Sequence, residues 1–123
     1  RHLARLALAD LSLDTLPYNA HTTASDALWA GVPHVACTGQ SFASRVGASL
    51  LTAVGLPQLI GQGIAHYEKL LKRLLLDDGV RKQVRDWLAL RRKDAPLWDA
   101  AAFARALEQA YAAMVDEAAR QPE

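Results

Sequence analysis

The chain has 123 residues, 51% hydrophobic and 22% charged, with a formal net charge of +1. That composition belongs to one folded domain with a modest core, and near-neutral charge gives no general affinity for nucleic acid or for an anionic membrane surface. No apolar run approaches the roughly 20 residues of a membrane helix, and no secretory leader pattern is seen. The single cysteine, Cys37, excludes an internal disulfide and fits a reducing, cytoplasmic setting.

The first residue is Arg1, and HLARLAL (2–8) is helix-forming from its start, so the chain reads as a piece of a longer polypeptide with an incomplete fold. ADLSLDT (9–15) alternates briefly, Leu11 and Leu13 against Ser12, and runs into the turn-prone DTLPYNA; this predicts a short strand and a loop. TTASDALWA (22–30) predicts a helix stopped by Gly31 and Pro33. HVACT (34–38), bounded by Pro33 and Gly39, predicts a second strand. In SFASRVGASLLTAV (41–54), Phe42, Val46, Leu50 and Val54 recur every four residues, which predicts a helix ending at Gly55. A β–α–β–α order with short connections favours a parallel sheet with helices packed on it.

Beyond Pro57 the pattern is helical. Ile64, Tyr67, Leu70, Leu71, Leu74 and Leu75 form one apolar face, and Val80, Val84, Trp87 and Leu88 the next. Phe103, Leu107, Ala110, Tyr111 and Met114 form a third, with Asp99 as N-cap. The expected fold is a single partial α/β domain, residues 1–60 supplying the β–α–β–α portion and residues 61–123 the C-terminal helices.

His21, Thr22, Thr23 and Asp26 stand in the loop after the first strand and at the start of the next helix. Ligands of parallel α/β proteins bind beyond the carboxyl ends of strands, and a helix N-terminus with hydroxyl and imidazole donors suits phosphate. The spacing Thr23-x-x-Asp26 is also close to a capping box that needs no ligand, although capping leaves His21 unexplained. His2 and Arg5 share a helix face; they suit an aromatic base and an anion, or form a solvated turn. No His, Cys or acid pair has metal-ligand spacing, and Cys37 reads as a buried small hydrophobe. Ser41, Ser44 and Ser49 lack a nucleophile elbow, and no dinucleotide fingerprint occurs. The cations of the tail, Lys69, Lys72, Arg73, Arg81, Lys82, Arg85, Arg91, Arg92 and Lys93, are interleaved with acids and read as a solvated outer face. Trp29 and Trp87 read as core.

The ordered string D-T, N-x-H-T-T-x-x-D, L-W-A-G-x-P and A-S-R-V-x-A-S, within LADLSLDTLPYNAHTTASDALWAGVPHVACTGQSFASRVGASLLTAVGLPQLI, closely resembles the C-terminal lobe of the O-linked N-acetylglucosamine transferase family. The resemblance covers residues 2–60, and PLWDAAAFARALEQAYAAM follows the family's closing helices more loosely. It implies the C-terminal portion of a Rossmann-like lobe of a two-lobed (GT-B) glycosyltransferase, with a helical tail. It implies UDP-N-acetylglucosamine as donor and a protein Ser or Thr hydroxyl as acceptor, presented by tetratricopeptide repeats upstream. By residue, it assigns His21, Thr22 and Thr23 to the donor's diphosphate and sugar region, Asp26 to the ribose hydroxyls, His2 to the uracil and Arg5 to the nucleotide pocket. Tyr18 occupies a variable loop position and takes no role from the resemblance.

The family's catalytic base and a pyrophosphate-contacting lysine lie in regions this chain does not contain, so no catalytic residue is expected here. Inverting transfer with neither metal nor cofactor is implied, since helix and side-chain donors can meet the charge of departing UDP; no D-x-D motif is present. Two alternatives stand beside this reading: a same-family enzyme using another nucleotide sugar, and a non-catalytic, truncated nucleotide-binding or interaction module. The isolated chain is expected to be inactive.

Overall fold

The computed structural model describes residues 1–120. In chain order the elements are α1 (His2–Leu6), β1 (Ser12–Leu13), α2 (Thr22–Trp29), β2 (His34–Thr38), α3 (Val46–Val54), β3 (Ile60–Gln62), α4 (Ile64–Leu76), α5 (Asp78–Arg91) and α6 (Ala100–Arg120). Short 3-10 turns occupy Pro57–Leu59, Arg92–Asp94 and Pro96–Trp98. No described helix is long and apolar enough to cross a membrane.

HVACT becomes the central strand because it can be buried on both faces, as a parallel strand between helical layers must be. His34 to Cys37 are all buried. The strands run parallel in the order β1–β2–β3, with Ser12 opposite His34 and Ala36 opposite Ile60. Parallel neighbours need crossovers, which α2 and α3 provide. Both helices pack on β2, as does α4. The core joins Leu28 of α2, Val35 to Cys37 of β2, Leu51 and Val54 of α3, Tyr67 and Leu74 of α4, and Val84 and Leu88 of α5. Burying each such Leu contributes about 1.5–3 kcal/mol. Gly55 ends α3 in the left-handed conformation (φ 85°), as the Gly after the apolar run predicted.

Five sequence expectations change. First, a third strand, β3, straddles the expected boundary at residue 60. Three residues with a central Gly carry almost no β signal, yet that glycine is what allows the packing: a Cβ at Gly61 would stand 2.7 Å from Tyr67 Cα. Second, α3 starts at Val46 and not near Ser41. Ser44 donates both its backbone N–H and its hydroxyl to the Ser41 carbonyl (3.2 and 2.9 Å), a local turn that competes with helix and leaves Phe42 in solvent.

Third, Trp29 and Trp87 lie at the edge of the core, 37% and 39% exposed. Trp29 meets Trp98 edge-to-face at 5.1 Å, and each of the two tryptophans carries an arginine, Arg92 on Trp29 and Arg91 on Trp87. Fourth, not all the tail cations are simply solvated. Arg92 donates to the Trp29 carbonyl at the end of α2 (2.6 Å), and Arg81 to the Leu74 and Leu75 carbonyls in the last turn of α4 (2.6 and 2.9 Å). Arg85 reaches the Ala9 carbonyl. Helix ends expose unpaired carbonyls and partial negative charge, which suits these cations. Fifth, the apolar face of α6 forms as its periodicity predicts, but Phe103, Tyr111 and Met114 are 68%, 58% and 63% exposed. Periodicity identifies a face and not what covers it. The N-cap of α6 is as expected, with Asp99 Oδ1 accepting the Ala102 N–H at 2.8 Å. The last three residues of the expected helical portion 61–123 lie outside the described residues.

Candidate functional site

The loop between β1 and α2 is built around two buried polar side chains. Asp14 follows β1 directly, and its carboxylate accepts the N–H groups of Thr15 (2.9 Å), Ala20 (2.8 Å) and Cys37 (3.3 Å), folding the loop back on β2. Asn19 is 1% exposed. Its amide donates to the Thr15 and Cys37 carbonyls, both at 3.2 Å, and accepts the Gly47 N–H of α3 at 3.1 Å. Tyr67 of α4 donates its hydroxyl to the Asp14 carbonyl (3.0 Å). Gly47 permits this closeness, because a Cβ there would stand 2.7 Å from Asp14 Oδ2. The frame thus ties the loop to β2, α3 and α4. Neither Asp14 nor Asn19 received a role from the sequence; the one available signal was a pair of turn-forming polar residues between a strand and a helix.

On this frame His21 takes the N-cap position of α2. No side chain caps the helix, so the capping-box alternative fails: neither Thr23 nor Asp26 closes on the backbone. The unpaired N–H groups that begin any α-helix are therefore left without a side-chain acceptor at the start of α2. Thr22 and Thr23, in the first turn, are exposed. Asp26 instead turns to α1, where its Oδ2 lies 3.2 Å from His2 Nε2. α1 packs against α2 and so brings these two sequence-distant residues together. Arg5 is exposed on α1, and among the described residues its side chain has no hydrogen bond or ion pair. A cleft of about 500 Å³ opens beside the cluster, lined among others by Leu13, Thr15, Tyr18, Asn19, His21 and Thr23.

The perturbed titratable groups lie beneath the cleft. Burial holds His34 below the ordinary imidazole range, against an opposing pull from the Asp14 carboxylate, and its Nδ1 pairs with Ser12 Oγ at 2.9 Å. Burial, then the charge of Asp14, push the Cys37 thiol upward, which disfavours the thiolate a nucleophile needs. The same two causes raise Tyr67. Among the described residues no group of three or more His, Cys, Asp or Glu side chains gathers as a metal site. What the surface offers is hydrogen-bond donors aimed from a helix N-terminus, with an imidazole–carboxylate pair one turn away.

An uncapped helix N-terminus beyond the carboxyl end of a parallel strand is the arrangement with which α/β proteins bind phosphorylated ligands. Residues 1–107 match the family model described as Glycosyl transferase family 41, and the chain belongs to that family. It is 38% identical over 113 residues to "Probable UDP-N-acetylglucosamine--peptide N-acetylglucosaminyltransferase SPINDLY" of Hordeum vulgare, covering 92% of this chain and 12% of the relative. It is 36% identical over 111 residues to the protein of the same description, SEC, of Arabidopsis thaliana, covering 89% of this chain and 11% of the relative. Its fold matches a solved mutant of Thermobaculum terrenum O-GlcNAc transferase with a TM-score of 0.83 at 35% identity, over 89% of this chain and 21% of the other. The chain therefore corresponds to a small part of each of these proteins. The α/β portion with a helical end, expected from sequence, is the fold found.

Proposed function

We propose that this chain is the UDP-sugar-binding part of a protein O-GlcNAc transferase that moves N-acetylglucosamine from UDP-N-acetylglucosamine to a Ser or Thr hydroxyl of an acceptor protein. The observation that carries the reading is the uncapped start of α2, flanked by His21, Thr22 and Thr23, with the His2–Asp26 pair beside it. The names of the relatives, which specify a UDP-N-acetylglucosamine donor and a peptide acceptor, support the choice of substrates.

In this reading the donor diphosphate sits at the N-terminus of α2. His21 and the two threonines donate to it, Asp26 accepts from the ribose hydroxyls, and His2 packs on the uracil. Arg5 belongs to the rim of the nucleotide pocket. The acceptor oxygen attacks the anomeric carbon and inverts it as the bond to the diphosphate oxygen breaks. Negative charge grows on the departing UDP, where fixed donors at a helix N-terminus lower the barrier; removing one such donor costs about 10²–10³ in rate. No metal or cofactor is required by this scheme, and the group that takes the acceptor's proton comes from outside this chain.

The test is calorimetric titration of the intact protein with UDP, comparing His21→Ala and Asp26→Ala with wild type. Each variant should lose about tenfold in affinity, the value of roughly one charge-assisted hydrogen bond. Unchanged binding in both defeats the proposal. Transfer assays with several nucleotide sugars then separate N-acetylglucosamine transfer from a same-family enzyme with another donor.

A further inference from the structure

Tyr18 is 62% exposed, yet it is not free in solvent. Its ring stacks on that of His21, with centroids 4.6 Å apart and planes inclined by 23°. The backbone on either side is anchored: Thr15 Oγ1 donates to the Tyr18 carbonyl at 2.6 Å, and the Asn19 N–H donates to the Ala43 carbonyl at 2.9 Å. The position of the ring is thus set by the buried Asp14–Asn19 frame, although the ring itself lies in the cleft wall.

His21 has only long polar contacts of its own. Nε2 lies 3.4 Å from the Ala43 carbonyl oxygen and Nδ1 lies 3.5 Å from Tyr18 Oη. A carbonyl only accepts, so Nε2 carries hydrogen there and Nδ1 faces the phenol. Both distances are well beyond the usual hydrogen-bond optimum near 3 Å, where the interaction is weak. Hydrogen bonds alone would leave the imidazole free to tilt, and stacking is the stronger of the available constraints.

We propose that Tyr18 is the positioning residue for His21: its ring, not its hydroxyl, holds the imidazole in the plane from which it meets the donor diphosphate. The proposal rests on the donor-site reading above. Because Tyr18 is largely exposed, replacing it leaves the core intact.

The experiment is UDP titration of the intact protein in wild type, Tyr18→Phe, Tyr18→Ala, His21→Ala and the double variant Tyr18→Ala/His21→Ala. Tyr18→Phe keeps the stacking and should bind within about twofold of wild type, whereas Tyr18→Ala should bind about three- to tenfold more weakly, the range for a lost aromatic pair. In the His21→Ala background, Tyr18→Ala should add nothing, because the effect runs through the imidazole. An equal loss in that background would show Tyr18 acting on the ligand directly and overturn the proposal. So would a loss in Tyr18→Phe as large as in Tyr18→Ala. Weakened binding in His21→Ala with none in Tyr18→Ala overturns this proposal alone; unchanged binding in His21→Ala overturns it together with the donor-site reading.

Discussion

Replacing Asn19 by Ala tests whether the buried frame, and not the helix by itself, holds the candidate site. The substitution removes two donated bonds and one accepted bond, to Thr15, Cys37 and Gly47, from a side chain that is 1% exposed. A typical bond contributes about 0.5–1.5 kcal/mol net, and a partner stranded away from water costs about 1–3 kcal/mol. Thr15 is exposed and its carbonyl can turn to water, so the loss concentrates on the Cys37 carbonyl and the Gly47 N–H. The expected local destabilisation is therefore about 2–4 kcal/mol, less than the roughly 5–15 kcal/mol by which domains are stable, so the fold survives. Hydrogen exchange followed by mass spectrometry reads this locally. Peptides covering 14–21 and 43–51 should exchange about 30- to 700-fold faster in Asn19→Ala, while peptides from α5 stay within error. Protection within about threefold of wild type in both segments would refute the account.

Two further outcomes follow from the same structure. Gly61→Ala forces a Cβ to within 2.7 Å of Tyr67 Cα, a backbone atom that cannot swing aside. It should cost about 1–3 kcal/mol through overpacking, read as a lower thermal midpoint, and a midpoint equal to wild type would contradict the packing of α4 on β3. The second concerns pH. His34 titrates below the ordinary imidazole value in the folded state, first because it is buried. As pH falls through about 6.5 the unfolded chain takes up a proton that the folded chain refuses, so stability drops until the depressed folded value is reached. Above that window the contribution is fully present. Urea unfolding between pH 5 and 7 should therefore slope more steeply in wild type than in His34→Gln, and parallel slopes would exclude His34 as the source.

Periodicity and punctuation made much of the fold legible. Gly55, Pro33 and Asp99 mark the helix ends and strand start where physics requires them, and the β–α–β–α order with its parallel sheet follows from short connections. The site was legible as a string, His21-Thr22-Thr23 and Asp26, because donors before an apolar helix are unusual without a use. Its supports were not. Asp14 and Asn19 look like ordinary turn residues until the carbonyl and amide ends of β2 and α3 arrive beside them. The His2–Asp26 contact was likewise invisible, since 24 positions separate the two residues and only the packing of α1 on α2 closes the gap.

The amino-acid order alone determined which segments are helical or extended, which faces are apolar, and which polar residues gather at the start of α2, since each follows from interactions within a few residues. Tertiary structure decided the rest. It selected between cap and open helix end, placed β3 where a glycine admits Tyr67, put Trp29 and Trp87 at the rim, and left the apolar face of α6 exposed. Those outcomes depend on what arrives from distant parts of the chain, and local pattern carries no record of a partner's position.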